Sequence, residues 1–199
     1  MRIGVLALQG DFREHVRALR SLGAEAIEVR RAEELDRLDG VVVPGGESTT
    51  IRLLMNESTL AAALRSRIAS GLPVLGTCAG MIVLAKRVDG NPADGLDALD
   101  VDVRRNAFGR QVDSFEADVR VPEVGEEPVH GVFIRAPVVE AFEPWVKVLA
   151  RLDDGRIVGV RQGAVVGLSF HPELTDDCRV HQYFLNVAAA REAPARSGA

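Results

Sequence analysis

The chain has 199 residues, with 24 Lys and Arg against 29 Asp and Glu, for a formal charge of −5. That length fits one domain, and 47% hydrophobic with 27% charged residues is ordinary globular composition, which excludes a disordered chain, a collagen-like repeat and a disulfide scaffold. An acidic balance with no basic block argues against nucleic acid as the ligand. Cys78 and Cys178 are too few for a disulfide framework, so a reducing, cytoplasmic setting is expected. The apolar run Ile3–Leu8 is too short for a signal-peptide core and is stopped by Asp11, and no window approaches the ~18 apolar residues of a membrane span.

Strand and helix patterns alternate through the first half. Arg2–Leu8 reads as a buried strand. Asp11 and Glu14 form a D-x-x-E pattern that predicts a capping box, and Phe12, Val16, Leu19 and Leu22 follow at helical spacing until Gly23. Ala26–Val29 and Val41–Val43 read as strands, the latter stopped by Pro44-Gly45-Gly46. Helical patterns follow through Ile51, Leu54 and Met55, then Leu60, Leu64 and Ile68. Pro73–Gly76 is a fourth strand, and Met81–Ala85 starts another helix. This order predicts a parallel sheet with helices on both faces.

From Val101 to Phe170 short β-like runs dominate, among them VDV, FEADVRV, VKVLARL and VVGLSF. Asp154-Gly155 and Gln162-Gly163 favour hairpins. A last helix is predicted over about Asp177–Ala190, and the polar segment 191–199 reads as a frayed tail. With no linker in view, residues 1–190 read as one α/β domain with a mixed sheet. Ligands of open parallel sheets bind beyond the carboxyl ends of the strands. Three strand-end loops carry unusual residues there: Pro44–Ser48, Gly76–Gly80 and His171–Glu173.

Gly76-Thr77-Cys78-Ala79-Gly80 is G-x-C-x-G between an apolar strand and an apolar helix, the cysteine form of a nucleophile elbow. Its glycines permit a sharp turn, the Ala79 N–H can face an oxyanion, and a helix N-terminus favours thiolate. Alone, the pattern fits a packed cysteine beside a tight turn equally well. His171-Pro172-Glu173 supplies what a nucleophile needs, a base with an orienting carboxylate two residues on. On an extended segment both side chains would point the same way. His15, His130 and His181 lack such a setting and read as structural or solvated. Gly45-Gly46 can bring a second backbone N–H to an oxyanion, and Ser48 reads as a helix cap. No phosphate loop, dinucleotide turn, CxxC or HExxH is present, so neither cofactor nor metal is expected. Cys178 opens a helix among acidic neighbours and reads as packing.

These residues resemble the class I, triad-type glutamine amidotransferases. LALQGD (Leu6–Asp11), PGGEST (Pro44–Thr49), RRNAFGRQ (Arg104–Gln111), VFIRAP (Val132–Pro137) and SFHPELT (Ser169–Thr175), in order with GTCAGM (Gly76–Met81), are similar to the glutaminase subunits of pyridoxal 5′-phosphate synthase. GTCAG and HPE are common to many amidotransferases; RRNAFGRQ and FIRAP discriminate. The resemblance runs from Ile3 to about Ala189. It implies a mixed, mostly parallel central sheet with helices on both faces, class I amidotransferase-like and flavodoxin-like.

The resemblance also implies roles. Cys78 is the nucleophile, His171 the base and Glu173 its orienting partner, hydrolysing L-glutamine to glutamate and ammonia. Gly46, Glu47 and Ser48 hold glutamine, with Gly46 and Ala79 forming the oxyanion hole, and Arg105, Ile134 and Arg135 contact the substrate as well. The implied partner is a synthase subunit, a TIM barrel in a ring-shaped core, which receives the ammonia and docks near LALQGD and PGGEST. The chain itself is expected to bind neither sugar phosphates nor the coenzyme product. The glutaminase of another ammonia-using synthase, such as imidazole glycerol phosphate synthase, is the nearest alternative. An inactive binding module with this fold and a cysteine peptidase are the others.

Overall fold

The structure, a computed structural model, describes residues 1–109 and 114–190. Strand β1 (Arg2–Leu6) shows how the sheet is built. Ile3 and Val5 join one apolar layer and Leu6 the other, because successive side chains on a strand point to opposite faces. Strands β3 (Gly40–Val43) and β4 (Val74–Thr77) are buried throughout, which accounts for their unbroken apolar lettering. Helices α1 (Phe12–Ser21) and α5 (Arg179–Ala189) cover one face with Val16, Leu19, Val180, Phe184 and Leu185. Helices α2 (Ser48–Asn56), α3 (Leu60–Ala69) and α4 (Ala79–Leu84) cover the other with Ile51, Met55, Leu60, Leu64 and Met81.

The remaining strands are β2 (Glu25–Val29), β5 (Ala85–Val88), β6 (Asn91–Pro92), β7 (Leu99–Arg104), β8 (Ser114–Val119), β9 (Val129–Ile134), β10 (Val138–Phe142), β11 (Lys147–Arg151), β12 (Ile157–Gln162) and β13 (Val165–Leu168). Among the described residues the main sheet runs β2-β1-β3-β4-β13-β12-β10-β7-β5-β6, with β11 on β12. From β2 to β13 every pairing is parallel. Beyond β13 the pairings are antiparallel except β5 with β7. Strands β8 and β9 pair separately. The sheet is therefore mixed, with helices on both faces of its parallel part, as the alternating pattern predicts.

This topology positions the site. Strands β1, β3, β4 and β13 are neighbours and run the same way, so their C-terminal loops share one edge. The loop after β13 is tied to the separate ribbon by the His171 N–H, which donates to the Val132 carbonyl at 2.9 Å.

Local differences from the sequence reading have physical causes. Asp11 precedes α1 but makes no side-chain cap bond, so the expected capping box does not form. Its carboxylate instead faces His171 Nδ1 at 3.5 Å. Glu47, not Ser48, caps α2, accepting from the Thr49 and Thr50 N–H groups at 2.9 and 2.7 Å. The helix after β4 begins at Ala79, two residues before Met81, and passes directly into β5. The last helix starts at Arg179. Both expected hairpins form, β11–β12 around Asp154-Gly155 and β12–β13 around Gln162-Gly163. No helix among the described residues is long and apolar enough to cross a membrane. The expected tail, 191–199, and Arg110 and Gln111 of the discriminating motif lie outside the described residues.

Phe184 is fully buried between α5 and the sheet, where a Cβ on Gly40 would already lie 3.0 Å from its ring. Phe184→Ala should cost ~3–5 kcal/mol in urea unfolding, the usual range for emptying an aromatic site that cannot collapse. A loss below about 1 kcal/mol would show that the site refills.

Candidate active site

Cys78 is the joint between β4 and α4, held at φ 48 and ψ −107. A non-glycine residue at positive φ is strained and persists only where its surroundings hold it. The Cys78 N–H donates to the Leu168 carbonyl at 2.7 Å. A Cβ on Gly80 would lie 1.9 Å from the Val43 carbonyl, so only glycine lets the turn pack against β3. The nearly buried Cys78 thiol lies 3.6 Å from the Ile134 carbonyl, to which it donates.

His171 follows β13. Its Nδ1 and Glu173 Oε1 are 2.7 Å apart. Residues Pro172–Leu174 form a 3-10 turn rather than the extended segment expected, with Pro172 at its first position. The tight turn brings the carboxylate back onto the ring. The other side of the imidazole meets the Pro44–Ser48 loop, where a Cβ on Gly45 would lie 2.3 Å from His171 Cε1. Glycine at 45 is therefore a space requirement of the histidine.

Burial alone would lower the His171 pKa. Hydrogen bonding to Cys78 and Glu173, with the charges of both, outweighs it and raises the value to about 10. Burial would raise Glu173, but His15 and then His171 hold its carboxyl well below the usual range. The protonated ring is thus paired with a buried carboxylate on one side and set against the Cys78 sulfur on the other. Asp11 is pushed up, first by burial and then by the Glu173 charge. Asp11, His171 and Glu173 present atoms within 4.8 Å of one another, but Nδ1 is already committed to Glu173.

A cleft of about 320 Å³ opens over these groups, within the ~300–1,000 Å³ of small-molecule sites. Cys78, Ala79, His171, Gly46, Glu47, Ser48, Arg105, Ile134 and Arg135 all line it, and Glu173 lies buried behind the histidine. The residues singled out in the sequence are therefore gathered, though not all are free. Both Glu47 oxygens are occupied by the first turn of α2, whose Thr49 N–H and Thr50 hydroxyl lead in lowering its pKa to about 2. Ser48 is buried in that helix. Arg105 Nε donates to Asp89 at 2.7 Å. Arg135, exposed and strained at φ 43, has no ion-pair partner among the described residues.

Among the groups at or behind this cleft that were not assigned to it from sequence are Gln9, Asp11 and His15. Gln9 lines it and accepts the Glu47 N–H through Oε1 at 2.6 Å, pinning the glycine loop. Asp11 lines it too, and its place in LALQGD was the available signal. His15 lies behind the cleft, fully buried, the structural one of the two readings offered for it, with Nε2 3.3 Å from Glu173 Oε2. A histidine on the apolar face of α1, one turn after Asp11, was its only trace. His181 is equally buried, and His130 is exposed between Glu116 and Asp118.

The raised His171 pKa sets a stability window. Below the ordinary histidine value of 6.5 the ring is protonated folded and unfolded, and the pairing contributes fully. Between 6.5 and about 10 only the folded chain keeps the proton, so stability falls as pH rises. Across that interval the urea midpoint should fall further for the native chain than for His171→Asn. Parallel pH dependences would rule out the raised pKa.

Comparison with known proteins places this geometry. The chain is 55% identical over 185 residues to pyridoxal 5′-phosphate synthase subunit PdxT of Carboxydothermus hydrogenoformans, covering 93% of this chain and 96% of that protein. It is 61% identical over 188 residues to the protein of the same name from a Parafrankia species, covering 94% and 92%. A crystal structure of a glutamine amidotransferase superposes with a TM-score of 0.89 at 54% identity, over 94% of this chain and 98% of that one. PurLQS from Thermotoga maritima, at 22% identity and a TM-score of 0.68 over 93% and 97%, shares the fold. The SNO glutamine amidotransferase family model matches residues 5–190, and the chain belongs to that family.

Proposed function

We propose that the chain is a glutaminase subunit that hydrolyses L-glutamine through a Cys78 thioester and passes the ammonia to a synthase subunit making pyridoxal 5′-phosphate. One observation carries this reading. The Cys78 thiol, the His171 ring and the Glu173 carboxylate, widely separated in the chain, meet beneath one cleft, with the 2.7 Å Nδ1–Oε1 bond fixing the ring. Relatives bearing the name of this synthase support the partner, and none of the relatives described above favours the imidazole glycerol phosphate alternative. Residues 1–190 would form the single glutaminase domain.

The chemistry follows from the protonation pattern. An imidazolium beside the sulfur favours thiolate, which attacks the side-chain amide carbon of glutamine. The Ala79 N–H, first in α4 and so without an intrahelical acceptor, stabilises the oxyanion together with Gly46. His171 gives its proton to the leaving nitrogen, and ammonia departs as the C–N bond breaks. The neutral ring then takes a proton from water, whose oxygen attacks the thioester. Collapse expels the Cys78 thiolate and releases glutamate, with His171 protonated again. Arg135 is the natural partner of the substrate α-carboxylate, since no acidic side chain competes for it among the described residues. Arg105 is held by Asp89 through Nε, leaving its terminal nitrogens for the cleft. Glu47 accepts from the α-ammonium, and Ser48 and Ile134 close the sides.

Ammonia release from glutamine, measured with and without the synthase subunit, tests this. Cys78→Ala should lower kcat by ~10³-fold or more while assembly with the partner persists. His171→Asn should be nearly as damaging, and Glu173→Ala less so, because it removes only the orienting group. Undiminished glutamine hydrolysis by Cys78→Ala would reject the assignment.

A further inference from the structure

Behind the triad lies a buried polar chain that the hydrolytic scheme leaves unused. Glu173 Oε1 is taken by His171, but Oε2 has no well-aligned hydrogen-bond donor among the described residues. The group facing it is His15 Nε2 at 3.3 Å, on a fully buried ring carried by α1. The same Nε2 lies 3.1 Å from Thr77 Oγ1, the better-aligned contact. Thr77 Oγ1 accepts the N–H of Gly45 at 3.1 Å. On the far side, His15 Nδ1 meets Nε2 of the fully buried His181, from α5, at 2.9 Å.

The proton positions follow from elimination. His181 Nδ1 has no partner among the described residues, and a buried N–H without an acceptor is the costlier orphan. Burial pulls the His181 pKa down to about 3, so the ring carries one proton. That proton belongs on Nε2, donated to His15 Nδ1. His15 then bears its proton on Nε2, directed between the Thr77 hydroxyl and Glu173 Oε2. The reverse assignment would set a bare ring nitrogen against a carboxylate oxygen and strand a proton on His181. The other ionisable groups facing Glu173 are His171 and Asp11, with Asp177 beyond His181.

We propose that His15 is a positioning residue for the triad: its Nε2–H holds the Glu173 carboxylate and the Thr77 hydroxyl together, tying the orientation of the base to the glycine loop through Gly45. Thr77 adjoins the nucleophile in sequence, and Gly45 adjoins both Gly46 and the His171 ring. One imidazole thus spans the parts that must act together in acyl transfer. His15 does not line the cleft that would hold glutamine, so its effect falls on turnover and not on glutamine binding. This inference rests on the glutaminase reading above.

The test uses the full chain assembled with its synthase subunit, comparing His15→Leu with His15→Gln, whose amide nitrogen can reproduce the Nε2 donor. His15→Leu should lower kcat by ~10–100-fold, the size typical when support behind a site residue is lost. Its KM for glutamine should stay within about twofold, and His15→Gln should recover most of kcat. A His15→Leu variant with native kcat, or a His15→Gln variant no better than His15→Leu, overturns the proposal. Nitrogen-15 NMR of the unmutated chain gives a check independent of how the variants fold. A His15 ring protonated on Nε2 alone at neutral pH is required, and a proton on Nδ1 overturns the assignment. If the native chain itself releases no ammonia, or Cys78→Ala remains active, the glutaminase reading fails; a defect confined to the His15 comparison or the NMR result touches only this inference.

Discussion

Glu173 puts a carboxylate where its side chain has no exposure to water, and a charge so placed is tolerated only when it is paired and hydrogen-bonded. His171 meets one oxygen and His15 the other. Much of the local architecture follows from that requirement. The 3-10 turn at Pro172–Leu174 exists to bring the carboxylate under the ring, and Gly45 is bare because the ring fills the space a Cβ would need. Asp11 turns from its helix toward the same imidazole, at the expense of the cap it would otherwise make. Glu173 and His171 hold each other's charge, since the ring helps keep the carboxylate ionised and the carboxylate helps keep the proton on the ring.

The strained turn at Cys78 is the second constraint. A positive φ at a non-glycine residue costs free energy of about 1–3 kcal/mol, and here it is held by the bond to Leu168 and by the close approach of Gly80 to β3. Both supports come from strands flanking β4 in the parallel sheet. The geometry at the sulfur is therefore set by sheet order as much as by the local G-x-C-x-G.

The cleft separates groups by their freedom. Glu47 and Arg105 each do structural work, one capping α2 and the other pairing with Asp89, while Arg135, lining the same cleft as Cys78, has no ion-pair partner among the described residues. Among those residues the Arg105 side chain is held only through Nε.

Most of the fold was legible in the chain itself. Buried parallel strands must be apolar on both faces, so Val41–Val43 and Pro73–Gly76 announced themselves, and turn residues marked both hairpins. The cysteine, the histidine and the carboxylate that meet at the cleft were legible too, because G-x-C-x-G and His-Pro-Glu are local patterns. Contacts made across long separations in the sequence were not. That His15 and His181 meet behind Glu173, that Gly45 leaves room for His171, and that Asp11 abandons its helix for a distant ring depend on which strands lie side by side. Strand order is decided by packing two apolar faces of a sheet under two sets of helices, a cooperative outcome of the whole chain. Periodicity read a few residues at a time reports which side of an element is buried, and only the assembled sheet decides what it is buried against.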